Sequence, residues 1–105
     1  MPLQVRVKDI TLSEPQKEHL NEVVNHFQKY HLDITKILAN IIGEKHAVHV
    51  EFEVHVAHQE PIVINEIDEK FDEAVSKAGK RVEKALRRLH DKIKSPKHES
   101  IKDLL

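Results

Sequence analysis

Eight cations crowd one stretch of this chain: Lys77, Lys80, Arg81, Lys84, Arg87, Arg88, Lys92 and Lys94. Between Lys77 and Lys94 only Glu83 and Asp91 oppose them, so the span carries +6. The whole chain sums to −1, which leaves −7 for everything else. The apolar residues of the same region, Phe71, Ala74, Val75, Ala78, Val82, Ala85, Leu86, Leu89 and Ile93, recur at steps of three and four. That spacing puts them on one face of a helix and the cations on the other. A solvated helix face usually mixes signs, with Glu placed four residues before Lys. A face of nearly one sign repels itself, and its natural complement is a polyanion such as a phosphate backbone.

Other candidate chemistry is weaker. His49, Glu51, Glu53 and His55 alternate along one strand face and offer imidazole and carboxylate ligands. Residues two apart on a strand stand about 6.6–7 Å apart, too far to share an ion easily. The expectation is a solvated sheet face and no metal site. The nine histidines show no HExxH spacing. No Ser/His/Asp order, phosphate-cradling glycine loop or nucleophile motif is present, and with no cysteine there is no thiolate chemistry. The reading is therefore no catalytic residues, no cofactor and no small-molecule substrate. Phe27, Tyr30, Phe52 and Phe71 fall at apolar positions and read as core, which leaves no stacking platform for single-stranded bases. Recognition of backbone and shape is favoured over base reading.

The elements that must hold these residues follow from periodicity. Leu3, Val5 and Val7 alternate with Gln4, Arg6 and Lys8, giving a strand with a basic outer face. Ser13-Glu-Pro-Gln16 forms a capping box with Pro15 in the first turn. Leu20, Val23, Val24, Phe27 and Tyr30 then place a helix ending near Tyr30 or His31. Residues 33–42 are rich in β-branched groups and read as a second strand, with Gly43-Glu44-Lys45 as the turn. Val48, Val50, Phe52, Val54 and Val56 define the third strand, and Ile62, Val63 and Ile64 a short fourth. Asp68 or Asn65 is placed to cap the long second helix. Asp72 and Glu73 at its start and the cations toward its end suit the helix dipole. Ser95-Pro96 is expected to stop it. Gly79, beside Ala78 in mid-helix, implies close helix packing at a cost of about 1 kcal/mol against alanine.

The expected fold class is α+β, in the order β-α-β-β-β-α: a four-stranded sheet with two helices on one face and the other face open. With 105 residues, 39% hydrophobic and 33% charged, the chain is expected to form one domain over residues 1–95 with a short flexible tail, 96–105. No secretory signal or membrane-spanning run is visible, and the absence of cysteine suits the cytoplasm.

This order, the KHAVHVEFEVHV strand and the FDEAVSKAGKRVEKALRRLHDKIK helix resemble the short ribosome hibernation-promoting factors. That family includes the ribosome-associated inhibitor called protein Y. Its second helix typically reads xMYxAIDxxxDKLxRQLxKxKxK. Phe71, Ala74 and Val75 match the apolar start, and Arg81, Val82, Lys84, Leu86, Arg88 and Lys92 the alternation that follows. Ser76 stands for the usual Asp and Lys80 for a usual acid, so this helix is more basic. The resemblance covers about residues 3 to 94.

The resemblance implies a fold similar to double-stranded RNA-binding domains. It implies docking on the small ribosomal subunit and its 16S ribosomal RNA, where members overlap messenger RNA and transfer RNA and idle ribosomes during starvation or stationary phase. Lys77, Lys80, Arg81, Lys84, Arg87, Arg88 and Lys92 would contact RNA phosphates, with Arg6 and Lys8 as further candidates. The protein would be a monomer off the ribosome, bound to no membrane. The competing expectation is a protein-interaction module using the open sheet face, or an acidic surface around Glu66, Asp68, Glu69, Asp72 and Glu73.

Overall fold

A computed structural model of the chain describes residues 3–94. The expected stop at Ser95-Pro96 and the tail 96–105 lie outside them. Strand β1 (Leu3–Lys8) leads to helix α1 (Glu14–Asn25) and a single-turn helix α2 (His26–Tyr30). Strands β2 (Ile34–Gly43), β3 (Val48–Val56) and β4 (Ile62–Asp68) precede the long helix α3 (Phe71–Lys94).

Sheet order is β1-β2-β3-β4. The two hairpins make β2, β3 and β4 antiparallel, whereas β1 lies parallel to β2. A parallel neighbour requires a crossover, and α1 with α2 supplies it. The capping box at the start of α1 forms as its residues demand. Gln16 N donates to Ser13 Oγ at 3.3 Å and Ser13 N donates to Gln16 Oε1 at 2.8 Å. The α-helix ends at Asn25, and the tighter turn carries on to Tyr30. His31 then takes a left-handed conformation (φ 55°) that turns the chain into β2.

The two long helices cover one sheet face. Ile37, Ala39 and Ile41 of β2 and every second residue of β3 from Val48 to Val56 are buried beneath them. Leu20, Val24 and Phe27 descend from one side and Phe71, Ala74, Val75, Ala78, Val82 and Leu86 from the other. Phe27 and Phe52 meet edge to face, with ring centroids 5.7 Å apart. Gly79 does what its position implied: a Cβ there would overlap Cγ1 of Val23, so α1 and α3 approach at that point only over a bare backbone. Gly43 has a similar reason. A side chain on it would strike the carbonyl oxygen of Asp9 where the chain leaves β1.

Three expectations are corrected. β2 runs on through Gly43, so the turn is Glu44 to Ala47, closed by Glu44 N donating to Ala47 O at 2.8 Å. β4 is longer than Ile62 to Ile64 and reaches Asp68, because Asn65 to Asp68 continue the antiparallel ladder with β3, Asp68 standing opposite Val48. Asn65 therefore sits in mid-strand and caps nothing, while Asp68 accepts from Lys70 N at 3.2 Å just ahead of α3.

Candidate functional site

The cationic row lies on α3, and its apolar stripe fixes it to the sheet. Ala74, Val75, Ala78, Val82 and Leu86 are fully buried against β3 and β4, so the 24-residue rod is about 36 Å long and rigidly seated. Lys80, Lys84, Arg87, Arg88 and Lys92 are exposed, and among the described residues none of them has an ion pair. Lys80 to Lys92 extends about 18 Å along the axis.

Lys77 and Arg81 differ. Lys77 Nζ lies 2.5 Å from Asp68 Oδ2, and Arg81 Nη1 lies 2.5 Å from Glu66 Oε2 and 2.7 Å from the Asn65 carbonyl. The match is one of pitch. Four helix residues rise about 6 Å and two strand residues about 6.6 Å, so cations at i and i+4 on α3 meet carboxylates at i and i−2 on the antiparallel β4. The hydrogen bond from Lys77 holds the Asp68 carboxyl below the usual carboxylate range, and Asp68 raises the Lys77 ammonium in return. With two of its cations matched, the +6 of the 77–94 span falls to +4. The acidic surface expected around Glu66 and Asp68 is thus in part the counter-charge of this helix.

A second device ties α3 to α2. Glu83 accepts from Tyr30 Oη at 2.8 Å and pairs with Lys29 Nζ at 2.7 Å. Burial pushes the Glu83 carboxyl up, but the hydrogen bonds from Lys29 and Tyr30 outweigh it and leave the group below its ordinary value. Burial, then the Glu83 hydrogen bond, raises the Tyr30 phenol. One of the two acids opposing the cationic row is thereby turned away from it.

The structure also assembles a Ser, a His and an Asp that no local motif announced. His19 Nδ1 lies 2.8 Å from Asp72 Oδ1, and its Nε2 lies 3.3 Å from Ser76 Oγ. Ser76 stands in the middle of α3, where neighbouring backbone N–H groups are spent within the helix, so no pair of them is free to hold an oxyanion. Asp72 is largely exposed, unlike the buried acid that steers a catalytic imidazole. The three residues act as a tie between α1 and α3.

Arg6 and Lys8 are not brought to the α3 surface. They pair in register with Asn40 and Ile42 on the open sheet face, opposite the helices. On that face Asn40 donates to Glu51 at 2.9 Å, His49 pairs with Asn65 at 2.8 Å and His55 with Glu53 at 2.6 Å. The side chains of Glu53 and His55, two apart on β3, lean together into a hydrogen-bonded pair. Among the described residues no group of three or more His, Asp or Glu side chains converges as a metal site. Among the described residues no helix is long and apolar enough to cross a membrane. Phe27, Phe52 and Phe71 are buried and Tyr30 is half-buried, so no aromatic is free to stack on a base.

Comparison with known proteins completes the description. The model of the family described as Sigma 54 modulation protein / S30EA ribosomal protein matches residues 3–94. No curated protein sequence matches the chain. Among solved structures, a ribosomal subunit interface protein from Coxiella burnetii superposes with a TM-score of 0.77 at 16% identity, covering 85% of this chain and 97% of that one. The N-terminal domain of Protein Y from Thermus thermophilus gives 0.75 at 13% identity, covering 85% and 99%. At such identities the likeness is one of fold.

Proposed function

The chain belongs to the Sigma 54 modulation protein / S30EA ribosomal protein family, and from that premise we propose that it is a ribosome-binding inhibitor of translation, acting by occupancy. In this reading it seats α3 against 16S ribosomal RNA in the messenger and transfer RNA channel of the small subunit. It thereby idles ribosomes under stress or in stationary phase. It works in the cytoplasm, as a monomer off the ribosome, and without catalysis.

The observation that carries the reading is the set of five cations without an ion pair among the described residues, Lys80, Lys84, Arg87, Arg88 and Lys92, on a helix whose opposite face is locked into the core. A rigidly mounted row loses little segmental freedom on binding. Lys77 and Arg81 flank it with their charge offset by β4. With every aromatic in or against the core, contact is to phosphate and groove shape rather than to bases. On the open sheet face Asn40 and Glu51, His49 and Asn65, and His55 and Glu53 satisfy one another, which counts against the middle of that face as the main docking surface.

Occupancy is tested by competition. Excess messenger RNA with initiator transfer RNA should displace the protein from small subunits. The protein should weaken their binding by the same factor, as linkage requires. Simultaneous, independent binding of all three to one subunit would contradict the mechanism even if ribosome association were found.

A further inference from the structure

β1 is an edge strand whose outer side pairs with nothing among the described residues. From Gln4 to Asp9 every residue is exposed. Alternate backbone N–H and C=O groups of such an edge point outward, ready to extend the sheet. A groove borders the edge on each face. On the helix side Val5 and Val7 stand in register with buried Ala39 and Ile41, yet remain 40% and 44% exposed because α1 stops short of covering them. With Ile10, Leu12 and Leu20 they line an apolar groove of about 470 Å³. On the open side Arg6 and Lys8 line a second groove of about 320 Å³ with Asn40, Ile42 and Glu51, whose carboxylate accepts from Asn40. Neither Arg6 nor Lys8 has an ion pair among the described residues.

We propose that the β1 edge is a docking site for an extended peptide in which apolar and acidic side chains alternate. A peptide added as a fifth strand sends successive side chains to opposite faces. Apolar side chains would enter the Val5–Val7 groove, and acidic ones would meet Arg6 and Lys8. The chemistry selects against the other occupants. A second copy pairing β1 with β1 would set Arg6 and Lys8 near their own counterparts, and like charges across a strand pair repel. A nucleic acid would meet only Arg6 and Lys8 unpaired among the described residues here, Lys17 being matched by Glu14, and would leave the valine groove unfilled. The site lies apart from α3 and does not depend on ribosome binding.

The test is a titration of the isotope-labelled full chain, followed by amide chemical shifts, with a seven-residue peptide alternating glutamate and valine. Shifts should concentrate on residues 3–8 and the groove around Ile10 and Leu20. The counterpart with lysine for glutamate should bind at least tenfold more weakly. Combining Arg6→Glu with Lys8→Glu, both exposed, should reverse that preference, and Val7→Glu should weaken binding about tenfold while α3 amides stay in place. No shift at millimolar peptide would overturn the proposal. So would equal binding of both peptides, shifts centred on α3, β1 shifts that grow with protein concentration alone, or a short RNA that perturbs the same amides at lower concentration.

Discussion

The ion pairs between α3 and β4 set a number that binding experiments can read. Each phosphate neutralised by a protein cation releases condensed counterions, so affinity falls with salt at a slope of about −0.9 per contact on a duplex. If only the unpaired Lys80, Lys84, Arg87, Arg88 and Lys92 engage RNA, the log–log slope is about −4.5; if Lys77 and Arg81 also engage fully, it is about −6.3. Between 50 and 200 mM salt these correspond to losses of about 500-fold and about 6,000-fold. Affinity for purified small subunits, measured by fluorescence anisotropy across that range, separates the two. Asp68→Asn with Glu66→Gln removes the β4 counter-charges and should steepen the slope toward the larger value while tightening binding at low salt. A flat response to salt would refute phosphate contact by α3. An unchanged slope in the carboxylate variant would refute the argument that β4 holds Lys77 and Arg81 back.

Two further outcomes concern the scaffold. Gly79→Ala gains about 1 kcal/mol of helix propensity but forces a methyl into Val23, at about 1–3 kcal/mol. It should therefore lower the melting temperature in the parent chain and raise it in a Val23→Ala background, and the same sign in both would refute the contact. The Asp68 and Glu83 carboxyls titrate lower folded than unfolded. Their contribution is present above the unfolded values and lost as pH falls below about 4. Thermal stability should drop there, and Asp68→Asn with Glu83→Gln should flatten the acid limb; an equally steep limb in that variant would count against both ties.

How far the sequence shows this molecule depends on how local the signal is. The Val48–Val56 strand and the Ser13–Gln16 capping box are written in adjacent residues, and both stand where periodicity placed them. The 71–94 helix is equally legible, because 24 residues of one period leave little ambiguity. What escaped reading spans the chain. The parallel setting of β1 on β2 is decided by the crossover between them, on which the alternation of either strand is silent. His19 meets Asp72 and Ser76 from 53 and 57 residues away, with no motif to announce it. At the candidate site the row of cations was plain, but their division into paired and unpaired was not. Asp68 and Glu66 alternate like any half-polar strand, and only the β4–α3 turn brings them into step with Lys77 and Arg81. The alternation marked Arg6 and Lys8 as outward, and with both helices on one sheet face outward on β1 is the face opposite α3.

The central claim is that the exposed cations of α3 are what the ribosome holds. Lys84, Arg87 and Arg88 are all exposed and have no ion pair among the described residues, so changing the three to Gln should leave circular dichroism and melting nearly unchanged, within about 0.5 kcal/mol for each. The parent chain and the triple variant, each mixed with purified small subunits at low salt, can be separated on a sucrose gradient. The account predicts that the parent sediments with the subunits and the folded variant stays at the top; co-sedimentation of both to the same extent would contradict it.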